Sequence, residues 1–434
     1  MSVVLLSFFA CKKEKDLWRE SQVNAMFDKL NLLKSGIQIS KHDFLISVLL
    51  FFTFFTQYFV ISVHIPRQVI PSVGNRLVAQ VALHFVIAIT LLLASFFIHR
   101  LNKLRLIYAS SIANSIMIAL LFFPSGEAIK LVIVLVTGVF FSTGILAFFV
   151  YFWNLTAPEE KGRVAGLIGF IALPFYFVVD YMVAPNLDFL WTVILGTVLS
   201  LGPIVIILLR PEKAMLEAKK NERKNYFENR TVLLYALPWI LFSLINVTLA
   251  KNISLNILQQ TSASFYLFLI ILQGIGVIFG AVFGGIIADF FGRRLSLTFG
   301  LTLYGISSAL AGLIEINEII SGVYVANGFS WGILMILYSF VIWGDMANKE
   351  NCAKIYSIGL IIYYSTIGIG LLPMQISQIP LVVSALGSCL LIFLSNLPIV
   401  MAPELLSPGF QERIKFKMHI NAVRKVDKKR QNQG

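Results

Sequence analysis

The sequence predicts an all-α membrane protein with twelve transmembrane helices in two pseudo-symmetric six-helix halves. Three observations carry that expectation. Of 434 residues, 58% are hydrophobic and only 13% charged, with a mean hydropathy of +0.83. A soluble domain carries about 25% charged residues, so this composition belongs to a chain solvated by lipid. The apolar residues fall into twelve runs, most near the ~20 residues a spanning helix needs. The two halves also echo each other at an offset of 190 residues.

Taken in order, residues 2–10 are apolar but too short to span, and two lysines follow them rather than precede them. That is neither a span nor a good signal peptide. Between Asp16 and Leu33, the apolar residues Leu17, Trp18, Met26, Phe27, Leu30 and Leu33 alternate with charges at helical spacing. An amphipathic helix lying in the membrane interface is expected there, inside a cytoplasmic segment 1–42. The first half then covers 43–209, with apolar runs at 43–65, 77–98, 105–123, 129–152, 164–185 and 188–209. A basic linker, 210–230, leads to the second half, 231–402, with runs at 231–252, 264–288, 295–314, 320–343, 355–374 and 379–400. The seventh run is the least regular, because Lys251, Asn252, Asn256, Gln259 and Gln260 dilute its far end. A basic polar tail, 403–434, closes the chain.

Lys and Arg set the orientation. With both termini inside, cytoplasmic segments hold 31 of the 35, and only Arg67, Arg76, Lys130 and Lys251 face outward. Basic residues are disfavoured in translocated loops, so both termini are expected in the cytoplasm of a multi-pass cell-membrane protein. The net charge of +13 then reports topology and the lipid bilayer as partner, and no nucleic acid is implied.

The repeat aligns Trp153 with Trp343, Ala157 with Ala347, Glu160 with Glu350, and Ile168-Gly169 with Ile358-Gly359. These matches fall in equivalent loops and helices of the two halves, as in parallel duplicated transporters. Between the eighth and ninth runs stands Gly285-Ile-Ile-Ala-Asp289-Phe-Phe-Gly292-Arg293-Arg294. Gly284 and Gly285 allow close backbone approach, and Gly292 permits a turn that a Cβ would strain. Asp289 and the arginine pair place opposite charges in one tight loop at the membrane surface.

This loop resembles the signature of the major facilitator superfamily, which stands between helices 2–3 and 8–9 of those twelve-helix transporters. The residue after the aspartate is commonly basic in that family; here it is Phe290. The copy expected after helix 2, His99-Arg100-Leu-Asn102-Lys103-Leu-Arg105, keeps Arg100, Lys103 and Arg105, but His99 stands for the aspartate and Asn102 for the second glycine. The resemblance implies a cytoplasmic charge cluster that holds the halves together in the outward-open state. Its members would be Asp289, Arg293, Arg294 and Asp345 in the second half, with Glu159, Glu160 and Arg163 in the matching first-half loop. The alternative is that these charges are solvated and only fix topology.

Polar side chains at mid-depth are costly and therefore informative. Counting along the runs, Gln57, Tyr58, Asn246, Gln273, Asn327, Trp331, Tyr363, Tyr364 and Ser365 are candidates to line a path for a neutral polar or amphipathic solute. Helix–helix hydrogen bonding is the competing explanation for each. Asp180 is the only intramembrane acid of the first half, nearer the outer side, and is the candidate proton site. Gln259-Gln260 lies beyond a single span from the start of helix 7, and Pro211-Glu212 and Pro403-Glu404 echo each other after helices 6 and 12.

Three scattered cysteines and five scattered histidines give no disulfide framework, metal site or cofactor motif. No Ser/His/Asp or paired-carboxylate constellation stands in the helices, which argues against an enzyme. The expected activity is secondary transport of a small organic solute by alternating access, as a uniporter. The alternatives are a proton-coupled symporter or drug exporter of the same fold, or a transport-inactive scaffold or sensor. No obligate protein partner is inferred.

Overall fold

The computed structural model describes residues 39–123, 126–208, 229–314, 316–372 and 379–406. The expected interfacial helix at 16–33, nearly all of the linker and most of the tail lie outside the described residues. Every regular element among them is helical. We number twelve helical segments in chain order. The first six are α1 (Lys41–Val69), α2 (Val73–Phe97), α3 (Lys103–Phe122), α4 (Glu127–Leu155), α5 (Lys161–Asn186) and α6 (Phe189–Leu208). The second six are α7 (Asn229–Gln260), α8 (Ala263–Phe291), α9 (Arg293–Leu313), α10 (Asn317–Met346), α11 (Cys352–Leu371) and α12 (Leu381–Met401).

All except α6 are long and apolar enough to cross a membrane by themselves, and α6 carries a shorter apolar stretch, Phe189–Ile204. Their outward faces are apolar at helical spacing: Phe85, Ile89, Leu92 and Phe96 on α2 and Leu386, Leu390, Leu394 and Leu397 on α12 are all exposed. Such stripes fit hydrocarbon and would be an aggregation hazard in water.

Helix starts follow local chemistry. Ser40 caps α1 by accepting from the Asp43 amide at 3.0 Å, and Ser262 caps α8 from the Phe265 amide at 3.3 Å. Each satisfies an amide that the first turn leaves without a carbonyl. Asn102, which replaces the glycine in the first-half loop, has become a cap: its Oδ1 accepts from the Leu104 and Arg105 amides at 3.1 and 3.2 Å.

Three helices widen by one residue per turn, at Val60–His64 in α1, Val178–Val183 in α5 and Leu337–Val341 in α10. In α1 the cause is visible. Pro66 has no N–H to offer the Ser62 carbonyl one turn earlier. Gln80 of α2 reaches across and donates to that carbonyl at 2.9 Å. A backbone acceptor freed within a membrane span is thereby satisfied by a neighbouring helix. The seventh segment departs from the run at 231–252: it continues to Gln260 after a break at Thr248. Two of the polar residues that diluted the run are paired, Asn252 donating to the Ile379 carbonyl and Ser384, and Asn256 to the Asn252 carbonyl.

Where the halves meet, the interface is aromatic. Phe51 of α1 packs edge-on to Phe340 of α10, with centroids 5.2 Å apart. Phe149 of α4 stacks on Tyr356 of α11 at 5.6 Å, and Tyr58 of α1 meets Tyr364 of α11 at 5.1 Å.

Candidate functional site

Where α8 turns into α9, five charged side chains from both halves meet out of water. Gly292 makes the turn alone, at φ +108°, a conformation that L side chains rarely adopt. The turn brings Asp289 and Arg293 onto one another: Arg293 Nη1 donates to Asp289 Oδ1 at 2.5 Å. Arg293 Nε donates to Asp345 Oδ2 of α10 at 2.7 Å, and Nη2 to the Pro158 carbonyl at 2.5 Å. The other oxygen of Asp345 accepts from Lys161 Nζ at 2.8 Å. Asp289 also accepts from the amides of Gly162 and Arg163, at 3.0 and 2.8 Å, and from Arg163 Nε at 3.2 Å.

The network therefore crosses between the halves: Lys161, Gly162 and Arg163 open α5, whereas Asp289, Arg293 and Asp345 belong to α8, α9 and α10. Lys161, Asp289, Arg293 and Asp345 are each less than 5% exposed. Charges so buried are tolerable only when paired and hydrogen-bonded, as these are. Two glycines make the approach possible. A Cβ on Gly285 would fall on the Gly162 carbonyl oxygen, and one on Gly162 would meet the Gly285 carbonyl at 2.6 Å. Gly284 serves a different contact, within the second half, where its Cβ would meet Ile333 of α10.

From the bundle interior, a cavity approaches this network between the halves. It is lined from α1, α4, α7, α10 and α11, chiefly by aromatic rings, among them Phe55, Phe148, Trp239, Trp331 and Tyr363. Trp343 of α10 links the two features, since it lines the cavity and stands two residues before Asp345. Between them, the Gly344 carbonyl accepts from Trp153 Nε1 of α4 at 2.8 Å, another bond between the halves.

Similar solved structures share this architecture at low identity. The proton:xylose symporter XylE, bound to 6-bromo-6-deoxy-D-glucose, superposes with a TM-score of 0.63 at 15% identity, covering 84% of this chain and 96% of that one. That symporter is a major facilitator superfamily protein. The chain has the major facilitator superfamily fold. A bacterial homologue of the iron transporter ferroportin, in an outward-facing state, gives a TM-score of 0.64 at 12% identity, covering 84% of this chain and 99% of that one. The human organic anion transporter MFSD10 gives 0.63 at 11%, covering 83% and 100%. Residues 213–372 match the sequence profile of the family described as sugar (and other) transporter. No curated protein sequence matches the chain.

Within this facilitator fold, the residues singled out in the sequence separate into groups. Gly285, Asp289, Gly292, Arg293, Asp345 and Arg163 come together in the network. Arg294 turns away from it and donates to the Ala402 carbonyl at 3.3 Å, at the end of α12. Glu160 is buried and holds its own loop, accepting from the Ala157 amide at 3.2 Å, while the Glu159 carbonyl accepts from Arg163 Nη2 at 3.2 Å. Arg100 and Arg105 are exposed beside α3, and Lys103 is half-buried. There Lys354 of α11 lies over the Phe96 ring of α2 at 5.3 Å, so a cation–π contact joins the halves on this side. Phe290, which replaces the family's basic residue, lies under the Arg163 guanidinium at 5.3 Å.

The mid-depth set divides as well. Trp331, Tyr363 and Tyr364 line the cavity. Tyr58 stands against Tyr364 but hydrogen-bonds His84 at 2.8 Å. Gln57, Asn246, Gln273, Asn327 and Ser365 are not among the lining residues. Gln57 donates to Ser200 of α6 at 2.6 Å, and Asn246 accepts from Tyr304 of α9 at 2.9 Å. Gln273 donates to Asn327 at 2.8 Å, and Asn327 to Ser307 at 3.3 Å. An amide in an apolar bundle takes the nearest partner helix, and these four found theirs within their own half. Asp180 pairs with His64 of α1 at 2.8 Å and accepts from Tyr176 at 3.0 Å, also away from the lining.

Sequence reasoning passed over two residues. Lys161 lay unremarked beside Glu159, Glu160 and Arg163, although a lysine at the mouth of a span needs a counter-charge. Glu404, noted only as part of a Pro-Glu echo, caps α9 by accepting from the Arg293 and Arg294 amides at 2.8 and 3.1 Å. A carboxylate soon after helix 12 was the available signal.

Proposed function

We propose that this chain moves a small organic solute across the cell membrane by alternating access, with both termini and the charge network on the cytoplasmic side. The observation that carries the reading is that a cavity and a buried ionic network share one interface between the two halves. A pair of charges that is dry when the halves close and wet when they part favours the closed state at that end. The outward-facing relative with the same fold supports assigning this to the conformation with its inner end shut. The orientation rests on the basic loops.

The transport cycle is proposed to be uniport. No Asp, Glu, Lys or Arg is among the residues lining the cavity, so nothing charged stands where a solute and a proton would be exchanged together. One observation favours proton coupling as the second reading: Asp180 and His64 form a nearly buried titratable pair inside the first half. Counterflow in liposomes against a panel of uncharged and charged solutes tests the main reading. Exchange of a pre-loaded solute without an ion gradient is the expected result. No exchange of any solute would leave a membrane scaffold or sensor.

A further inference from the structure

The ionic network has a counterpart between α2, α3 and α11, where the charges do not balance. At the offset of 190 residues, Lys103 stands for Arg293, but His99 stands for Asp289 and Leu155 for Asp345. The copy keeps a cation of the second-half network and lacks both of its carboxylates. Further cations come from the other half. Lys349 and Lys354, both exposed, flank the start of α11. Lys349 is near enough to Lys103 to repel it, and Lys354 is held over the Phe96 ring of α2 at 5.3 Å. The turn Ile98–Arg100, which follows α2, packs against α11 and brings the exposed Arg100 to the same seam. Across 96–105 and 348–354 there are five cations, Arg100, Lys103, Arg105, Lys349 and Lys354, and one acid, Glu350. Like charges gathered from two halves destabilise their contact unless a counter-charge arrives.

The surroundings indicate where that counter-charge comes from. Ile89, Leu93 and Phe97 form an exposed apolar stripe on α2, and Leu101 follows, also exposed. Within about one turn this stripe gives way to Arg100 and Lys103. Such a boundary lies at the depth of lipid phosphates, where basic side chains at the end of an apolar surface meet acidic headgroups. Lysine stems also run along apolar surface and place their charge at that level. A free anion would gain from the charges alone, whereas a phospholipid also covers the stripe.

We propose that this seam binds the phosphate headgroup of an anionic phospholipid, held by Lys103 of the first half and by Lys349 and Lys354 of the second. The acyl chains lie along Ile89, Leu93 and Phe97. The lipid supplies from outside the chain the negative charge that Asp289 and Asp345 supply between α5 and α8. One headgroup then bridges the two halves, at the same end of the bundle as the ionic network. The site is independent of what the chain transports.

The test mixes the purified full-length chain in detergent with equal amounts of phosphatidylglycerol and phosphatidylcholine, and counts the retained lipids by native mass spectrometry. One phosphatidylglycerol should be retained in preference to phosphatidylcholine by about tenfold or more, since each basic contact is worth roughly fivefold. Excess inorganic phosphate should not displace it. Lys103→Gln combined with Lys354→Gln should abolish the preference. Lys130→Gln combined with Lys251→Gln removes the same charge elsewhere and should preserve it. Leu155→Asp removes no cation. By placing a carboxylate where Asp345 stands in the other copy, it should also weaken phosphatidylglycerol retention. Equal retention of the two lipids, displacement by inorganic phosphate, or the same loss in both double variants would each overturn the assignment. So would a preference unchanged in either Leu155→Asp or the variant lacking Lys103 and Lys354.

Discussion

Lys161 and Asp345 form an ion pair at 2.8 Å across the two halves, with side chains 1% and 2% exposed. The pair is not isolated, because Arg293 holds the second Asp345 oxygen and also Asp289. Each carboxylate therefore binds a cation from its own half and one from the other. Separation of the halves at this end would break the Lys161 and Arg163 contacts while the Arg293 contacts travel with the second half. In the proposed cycle, the contacts between the halves would act as the lock, and those within the second half as its preorganised receptor.

Removing one member of a buried pair costs up to about 3–5 kcal/mol, the upper end applying where a charge is left uncompensated, whereas removing both is far less harmful. Lys161→Met and Asp345→Asn should each shift the equilibrium toward an open inner end by more than tenfold. The double variant should recover most of the loss, with a coupling energy well above the ~0.5 kcal/mol scatter of independent sites. Cys352, buried in the first turn of α11, is a native reporter of this opening. Its alkylation rate, measured with Cys11 and Cys389 replaced by Ser, should rise in both single variants and fall back in the double. Equal rates in all four proteins would show that these charges only fix topology.

The glycine contact makes a second prediction that involves no charge. A Cβ on Gly285 collides with the Gly162 carbonyl of the opposite half, whereas one on Gly284 collides with Ile333 of its own half. Gly285→Ala should hold the inner end apart, speeding Cys352 alkylation and slowing counterflow by about tenfold or more. Gly284→Ala should lower thermal stability and leave the relative reactivity of Cys352 unchanged. If the two variants behave alike, the α5–α8 contact is not what closes this end.

Glu404 offers a stability prediction separate from gating. Its carboxylate accepts from the first two amides of α9, and also from the Leu405 and Leu406 amides at 3.1 and 3.2 Å. Caps of this kind contribute about 1 kcal/mol, with a further favourable term for negative charge at a helix start. Glu404→Ala should lower the melting temperature by a few degrees without changing the relative reactivity of Cys352. An unchanged melting temperature would mean that water replaces the cap at no loss.

The helix count and the charged loop between α8 and α9 were legible in the sequence because both depend on one-dimensional signals. Apolar run length decides what spans, and Asp289, Gly292 and Arg293 lie within five residues of each other. The cavity was legible only in part, through Trp331, Tyr363 and Tyr364. Depth along a helix can be counted from sequence, but the direction a side chain faces depends on which helix lies beside it. Gln57 was at the right depth yet faces Ser200 of α6, two residues from Phe55, which does line the cavity. Phe51, Phe54 and Phe148, which form much of the wall, are indistinguishable by type from lipid-facing Phe279 and Phe283. The partner of Asp345 was missed because Lys161 is 184 residues away in the chain.

The pair of Asp180 and His64 decides between uniport and proton coupling. Asp180 lies in the widened turn of α5, and His64 ends the widened turn of α1, so both belong to the first half. Their bond of 2.8 Å and the Tyr176 hydroxyl at 3.0 Å keep the carboxylate satisfied without a solute. Neither residue lines the cavity, and a contact internal to one half travels with that half when the two halves rock. A coupling proton must instead bind and leave in step with that motion. Uptake into liposomes is therefore expected to survive collapse of the proton gradient by an uncoupler. Asp180→Asn should remove a hydrogen bond to a charged group worth about 1.5–3 kcal/mol, lowering thermal stability while exchange continues. The symport reading wins if the uncoupler stops uptake and Asp180→Asn abolishes gradient-driven accumulation yet preserves counterflow. That combination would mean that the pair opens to water during the cycle, which a contact confined to one rigid half does not do.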